Sequence, residues 1–205
     1  MLDIINFNKH NLSIYSYPAE QTVITWQFFK EGFQAGERCI YIPNSGSTEK
    51  LISEVKNTGE RLDDYLNIGK LILIDNSVYL KSGFLDTSSI KQIISEAENK
   101  ATLEGYTGLR ISGELPLKDG ELMDLDLISK YELEIDDYIS HCGNIRALCH
   151  YSRNKYNSGT LVNLVNYHKK IVMYGKIYKN EFYKTNINDS GVNIFDKLIE
   201  DENSN

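Results

Sequence analysis

Scarcity characterises this 205-residue chain before any motif does: it has 3 prolines, 3 cysteines and 1 tryptophan, and its apolar runs are only a few residues long, as in Leu71 to Ile74. Runs that short exclude a membrane-spanning helix and an N-terminal secretory leader, both of which need a longer apolar stretch. A small, odd number of cysteines argues against a disulfide framework and fits reduced thiols in a cytosol. The absence of repeats and low-complexity tracts excludes fibrous and disordered classes. Basic residues are also in deficit, 22 against 29 acidic ones, for a net charge of −7. That balance argues against nucleic-acid or anionic-membrane binding through the whole surface. What remains is a single cytosolic globular domain, 41% hydrophobic and long enough for a full core.

The charge deficit is uneven. Residues 1–145 carry 13 basic and 23 acidic side chains, whereas residues 146–184 carry eight basic ones against Glu181 alone. Residues 185–205 are acidic again, with Lys197 against five carboxylates. The basic stretch reads either as charge spread over one fold's solvated surface or as a positive face for an anionic partner.

Short β-branched runs alternate with longer segments of helical period. Leu12 to Tyr17, Cys39 to Ile42, Leu71 to Ile74, Leu109 to Ile111 and Ile145 to Tyr151 read as strands. Thr22 to Phe33, a segment through Leu51 and Val55, Ser89 to Leu103, Met123 to Cys142 and Gly159 to His168 read as helices. Ser89 with Gln92 forms a candidate capping box, and Gly175-Lys176 suits the first positions of a type II′ hairpin turn. Strands separated by helices of this length predict parallel βαβ units. The expected fold is therefore α/β, a three-layer, mostly parallel sheet flanked by helices, closed by a terminal β-hairpin. It spans 1–183, and 184–205 form a polar acidic tail in which Val192, Phe195, Leu198 and Ile199 mark a short amphipathic helix.

Ligands of open α/β sheets bind beyond the carboxyl ends of the strands. A standard Walker site is argued against first: the nearest approach to a P-loop, Pro43 to Lys50, lacks the Gly-Lys-Ser/Thr ending and carries Glu49. A metal shared by His141-Cys142 and Cys149-His150 is excluded by length, because an extended strand between them separates the cysteines by about 20 Å. Adjacent Cys149 and His150 also point to opposite faces of such a strand. His168 falls on the apolar stripe of its helix, as a core histidine or a weaker site member. Arg110 lies in a buried strand, so it needs either a carboxylate such as Glu114 or Asp75, or an anionic ligand.

Several landmarks occur in a characteristic order: His10-x4-Tyr15; Phe29-x2-Gly32-Phe33-x2-Gly36-Glu37-Arg38-Cys39; Tyr79-Leu-x2-Gly83-Phe84; Glu96-Ala97; Gly105-Tyr106-Thr-Gly-Leu109-Arg110-Ile-Ser-Gly-Glu114; Tyr131-Glu132; Leu148-Cys149-His-Tyr151; and His168. Over residues 7–183 this set resembles the MEDS family, the methanogen/methylotroph DcmR-type sensory domain. The chain departs from the family's pattern after Glu114, where Leu-Pro-Leu replaces a nearby aromatic residue, at His150, commonly Gln, and at Ser152, commonly Asp. The resemblance implies a RecA/KaiC-like core without a working Walker A site, used to sense small molecules such as C1 compounds or hydrocarbon derivatives. The expectation is a non-catalytic module with no cofactor and no metal, its ligand held by His10, Tyr15, Arg110, Glu114, Cys149, Tyr151 and His168. Arg110 and Glu114 would anchor that site as a charge pair. Output would pass to a protein partner such as a kinase or transcription regulator, or through a homo-oligomer, with membrane and nucleic acid unexpected. The alternatives are a degenerate RecA-like nucleotide-binding protein or enzyme, and a protein-interaction subunit without a small ligand.

Overall fold

A computed structural model describes residues 7, 9–44, 46–82, 84–116 and 124–183. The tail with its amphipathic stripe lies outside these residues. Within them the chain runs β1 (His10–Tyr15), α1 (Pro18–Gln34), β2 (Arg38–Ile42), α2 (Ser47–Asn57), α3 (Leu62–Asn67) and β3 (Leu71–Leu73). A short 3₁₀ turn at Asn76–Tyr79 leads into the small ribbon β4 (Leu80–Lys81) and β5 (Phe84–Leu85). Then follow α4 (Thr87–Leu103), β6 (Leu109–Gly113), α5 (Leu125–His141), β7 (Ile145–Ser152), α6 (Ser158–Val165), β8 (Lys170–Met173) and β9 (Lys176–Lys179).

The seven-stranded sheet has the order β3-β2-β6-β7-β1-β8-β9. Its neighbours pair in parallel except β8 with β9. β1 therefore lies inside the sheet between β7 and β8, in register His10 to Ala147 and Asn11 to Lys170. Strand alternation gives each face its own core. On one face, Leu12, Ile40, Ile111, Ala147 and Ile171 pack against α4, α5 and α6 through Ile90, Ile94, Ile128, Ile135 and Leu164. On the other, Cys39, Tyr41, Leu148 and Val172 meet α1, α2 and α3 through Phe28, Phe29, Leu51, Val55 and Leu62. The molecule is a mixed α/β structure with helices on both sides of a mostly parallel sheet.

Local chemistry explains where the elements start. Asp86, Asp124 and Asn157 accept from the backbone N–H groups of Ser88, Asp126 and Thr160 at the starts of α4, α5 and α6. The cap of α4 is thus Asp86 and not a Ser89-Gln92 box. α1 begins at Pro18, four residues before the expected Thr22, because a proline's fixed φ and missing N–H suit a first helical turn. Its buried face includes Gln21, Thr22 and Thr25 as well as Ile24, Trp26 and Phe28, because the sheet surface beneath is polar along Ser13, Arg110, Ser112 and His150. The β8–β9 turn is Tyr174-Gly175, both at positive φ (52° and 70°), with Met173 opposite Lys176. That corrects the expected Gly175-Lys176 type II′ turn to a type I′ one, whose second position Gly175 fills without strain.

Gly32 sits where the aliphatic part of Arg110 crosses under α1. A Cβ there would meet Arg110 Cδ at 2.7 Å and Cys39 Sγ at 3.0 Å. Helix propensity favours Gly32→Ala by about 1 kcal/mol, but overpacking a buried contact costs about 1–3 kcal/mol. We expect a net loss of stability, read as a lower urea midpoint at unchanged m; a higher midpoint would refute the close packing.

Candidate functional site

The side chains expected to form one ligand site occupy three places. His10 and Tyr15 are five residues apart on β1, so strand alternation sends them to opposite faces.

On the α4–α6 face, His10, Cys149, Tyr151 and His168 converge on Glu132 of α5. The Glu132 side chain is fully buried, with Oε2 3.3 Å from His10 Nε2 and 3.3 Å from His168 Nε2. His10 Nε2 lies 3.4 Å from Cys149 Sγ. One donor atom from each of His10, Glu132, Cys149 and His168 falls within 4.8 Å of the others, a set of the kind that holds a divalent transition-metal ion. Around this quartet, His10 Nδ1 is 3.1 Å from Asp136 Oδ1, His168 Nδ1 is 2.8 Å from the Leu164 carbonyl, and the Tyr151 hydroxyl donates to Glu132 Oε1.

The electrostatics of the quartet are strongly perturbed. Burial alone would raise the Glu132 pKa, but His168 and His10 hold it well below the usual carboxylate range. Burial would likewise lower that of His10, yet Cys149, Asp136 and Glu132 hold it well above the ordinary histidine value. His168 is shifted down by burial and by neighbouring His10. Burial, with Glu132 adding to it, pushes the Cys149 thiol up to about 11.

Across the sheet, Tyr15 and Glu114 belong to a second polar cluster. Glu114 accepts from Tyr15 Oη at 3.1 Å, Asn44 Nδ2 at 2.9 Å, Ser47 Oγ at 3.4 Å and the Gln21 amide. Nearby, His150 Nε2 lies 3.0 Å from Thr25 Oγ1 and 2.9 Å from Ser112 Oγ, and burial lowers its pKa to about 3. Two small chambers lie at the carboxyl ends of the strands, the first reaching the Glu132 cluster and the second the Glu114 cluster. One is lined by Tyr79, Gly113, Leu115, Tyr131, Glu132, Cys149, His150 and Tyr151, the other by Tyr15, Asn44, Glu114, Leu115, His150, Ser152, Lys155 and Tyr156. Each has room for about one water molecule, and Leu115 and His150 wall both.

Arg110 belongs to neither cluster. Its Nε donates to Glu37 Oε2, and its Nη1 donates to the Phe28 carbonyl at 2.9 Å and lies 3.4 Å from Glu31 Oε2. The expected Arg110–Glu114 anchor is thereby corrected. Both residues face α1, but four residues of strand separate them by about 13 Å, and Glu37 and Glu31 supply the counter-charge at Arg110's own end. The metal reading changes too. The pair excluded on sequence, His141-Cys142 with Cys149-His150, is not the one the fold assembles; Cys149 instead meets His10, Glu132 and His168. Glu132 escaped sequence reasoning as a site residue, although it sits at the i+4 position from Ile128 and three before Ile135, on the buried stripe of its helix.

Among the described residues no helix is long and apolar enough to cross a membrane. Three residues of the basic stretch have partners within the fold: Arg146 donates to the buried Glu37, and at the surface Arg153 donates to the Tyr174 hydroxyl and Lys169 lies over the Tyr183 ring. No curated protein matches the chain. The family model for the MEthanogen/methylotroph, DcmR Sensory domain matches residues 9–169, which takes in both polar clusters and β1 to the end of α6, and the chain therefore belongs to the MEDS family of sensory domains.

Proposed function

We propose that this protein is a non-catalytic, cytosolic sensory module that binds a small molecule at the carboxyl edge of its sheet and passes the signal to a regulatory protein partner. The observation that carries the reading is the pair of small chambers at the carboxyl ends of the strands, lined by tyrosines and buried polar groups and sharing Leu115 and His150. Their size favours ligands of one or two heavy atoms beyond hydrogen, in keeping with C1 compounds or small hydrocarbon derivatives. Displacing the Leu115 side chain would join the chambers, so occupancy would bias one packing of the Glu114–Leu115 segment over another. A RecA/KaiC-like ancestry fits the parallel sheet with β1 in its interior. Against a nucleotide ligand, the turn between β1 and α1 is only Ser16-Tyr17, and the Glu20 carboxylate accepts the Ser16 N–H at 2.7 Å where a phosphate would sit.

The test is calorimetry and thermal shift of the purified protein against C1 and C2 alcohols, aldehydes and halides, with native mass spectrometry for anything that co-purifies. A saturable ligand is expected, with affinity reduced at least about tenfold by Leu115→Trp, which fills the partition, and also by Glu114→Gln, which keeps its shape. A folded wild type that takes up no member of the panel and carries no small molecule would overturn the reading, as would unchanged affinity in both variants.

A further inference from the structure

We propose that His10, Glu132, Cys149 and His168 form a binding site for one divalent transition-metal ion of the zinc class. Glu132 and Cys149 also line one of the two chambers, but the inference stands or falls on its own measurement, metal binding, and not on small-molecule affinity.

The orientation of His168 is the strongest observation. Its Nδ1 faces the Leu164 carbonyl, which can only accept, so Nδ1 carries the hydrogen and neutral His168 presents a lone pair at Nε2. That lone pair points at Glu132 Oε2, 3.3 Å away, and neither atom has a hydrogen-bond partner although both side chains are fully buried. Two facing acceptors in a buried cluster repel unless a proton or a metal ion lies between them. Three of the separations also suit a tetrahedral ion. Bonds of about 2.0–2.1 Å to nitrogen and oxygen place such donors about 3.3 Å apart, and a sulfur bond of about 2.3 Å places sulfur and nitrogen about 3.6 Å apart. The structure has 3.3, 3.3 and 3.4 Å, and the remaining pairs lie within 4.8 Å.

Charge and supporting contacts agree with this assignment. A Cys149 thiolate and the Glu132 carboxylate together neutralise a divalent ion, so the loaded site is uncharged in a cluster whose His10, Glu132 and His168 are buried. Metal-bound histidines hold their tautomer through the other ring nitrogen, and ligating carboxylates are themselves hydrogen-bonded. Here Asp136 meets His10 Nδ1, the Leu164 carbonyl meets His168 Nδ1, and Tyr151 donates to Glu132. Mixed imidazole, thiolate and carboxylate donors select zinc-like ions over magnesium or calcium, which prefer oxygen alone.

The experiment uses the full chain, stripped with a chelator and titrated with Co²⁺ and Zn²⁺, circular dichroism verifying the fold of each sample. One equivalent of Co²⁺ should bind with intense visible ligand-field bands and a thiolate-to-metal charge-transfer band, and Zn²⁺ should displace it. Cys149→Ser should remove the charge-transfer band, whereas Cys39→Ala and Cys142→Ser should keep it. His168→Gln should weaken Zn²⁺ binding by about 100-fold or more, and Asp136→Asn by about 10- to 100-fold. A folded wild type that binds neither ion at stoichiometric concentration would overturn the proposal, and so would a charge-transfer band that survives Cys149→Ser.

Discussion

Arg110→Ala is expected to lose about 3–5 kcal/mol of folding stability, the usual cost of removing one partner of a buried ion pair. Arg110 is 5% exposed and Glu37 4% exposed. Without the guanidinium, Glu37 keeps only Arg146, whose side chain is one-third exposed and therefore more weakly felt, and Glu31 and the Phe28 carbonyl lose a donor. The Phe28 ring also loses the cation stacked 4.9 Å from its centroid. Urea denaturation with m unchanged measures the loss. An Arg110→Met, Glu37→Gln double variant should recover a large part of it, because removing both charges leaves no uncompensated ion inside the protein. Since the guanidinium faces α1, far from either chamber, any small-molecule affinity should survive at temperatures where Arg110→Ala is folded. A loss of stability below about 1 kcal/mol would show that the pair is solvated and not buried.

Arg110 also marks the boundary between what the sequence makes legible and what it conceals. A charged residue in a buried strand signals that a counter-charge must exist, and it does. Which carboxylate supplies it depends on the turn after α1 and on α1 itself, whose Glu37 and Glu31 are 73 and 79 residues away in the chain. The strands were readable because each is a short apolar run ended by a turn, and α4, α5 and α6 because their apolar residues keep a helical period. α3 and the β4–β5 ribbon were not, since they are six and two residues long and carry no full period.

The candidate site was legible residue by residue but not as an arrangement. His10, Cys149, Tyr151 and His168 do converge, while Tyr15 and Glu114 lie across the sheet from them. Period-two alternation along β1 and β7 already contains that division: His10 differs from Tyr15 by an odd number, and Cys149 from Tyr151 by an even one. The residue at the centre of the cluster needed a different signal. In an acid-rich helix with Glu132, Glu134, Asp136 and Asp137, only Glu132 falls on the stripe of Ile128, Ile135 and Ile139, and a carboxylate on that stripe must be buried.

Replacing that carboxylate gives the other large effect. Glu132→Gln, measured in chelator so that no ion contributes, should destabilise the protein by about 3–5 kcal/mol, because the buried negative charge that faces His10 is removed while the burial of His10, whose pKa is held well above the ordinary histidine value, is kept. Glutamine matches glutamate in shape, so the loss reports charge and hydrogen bonding and not a cavity. Tyr151→Phe removes only the donor to Oε1 and should cost about 1.5–3 kcal/mol, the range for a hydrogen bond to a charged group. In the double variant the tyrosine's partner is already altered, so the two losses should fall short of additive by about 0.5–3 kcal/mol. Strict additivity would mean that the Tyr151 hydroxyl and Glu132 do not interact, and the network would then have to be redrawn around His10 and Asp136. A Glu132→Gln loss under about 1 kcal/mol would carry a stronger message: the carboxylate would already be neutral in the folded protein, and the counter-charge for His10 would have to come from Asp136 alone.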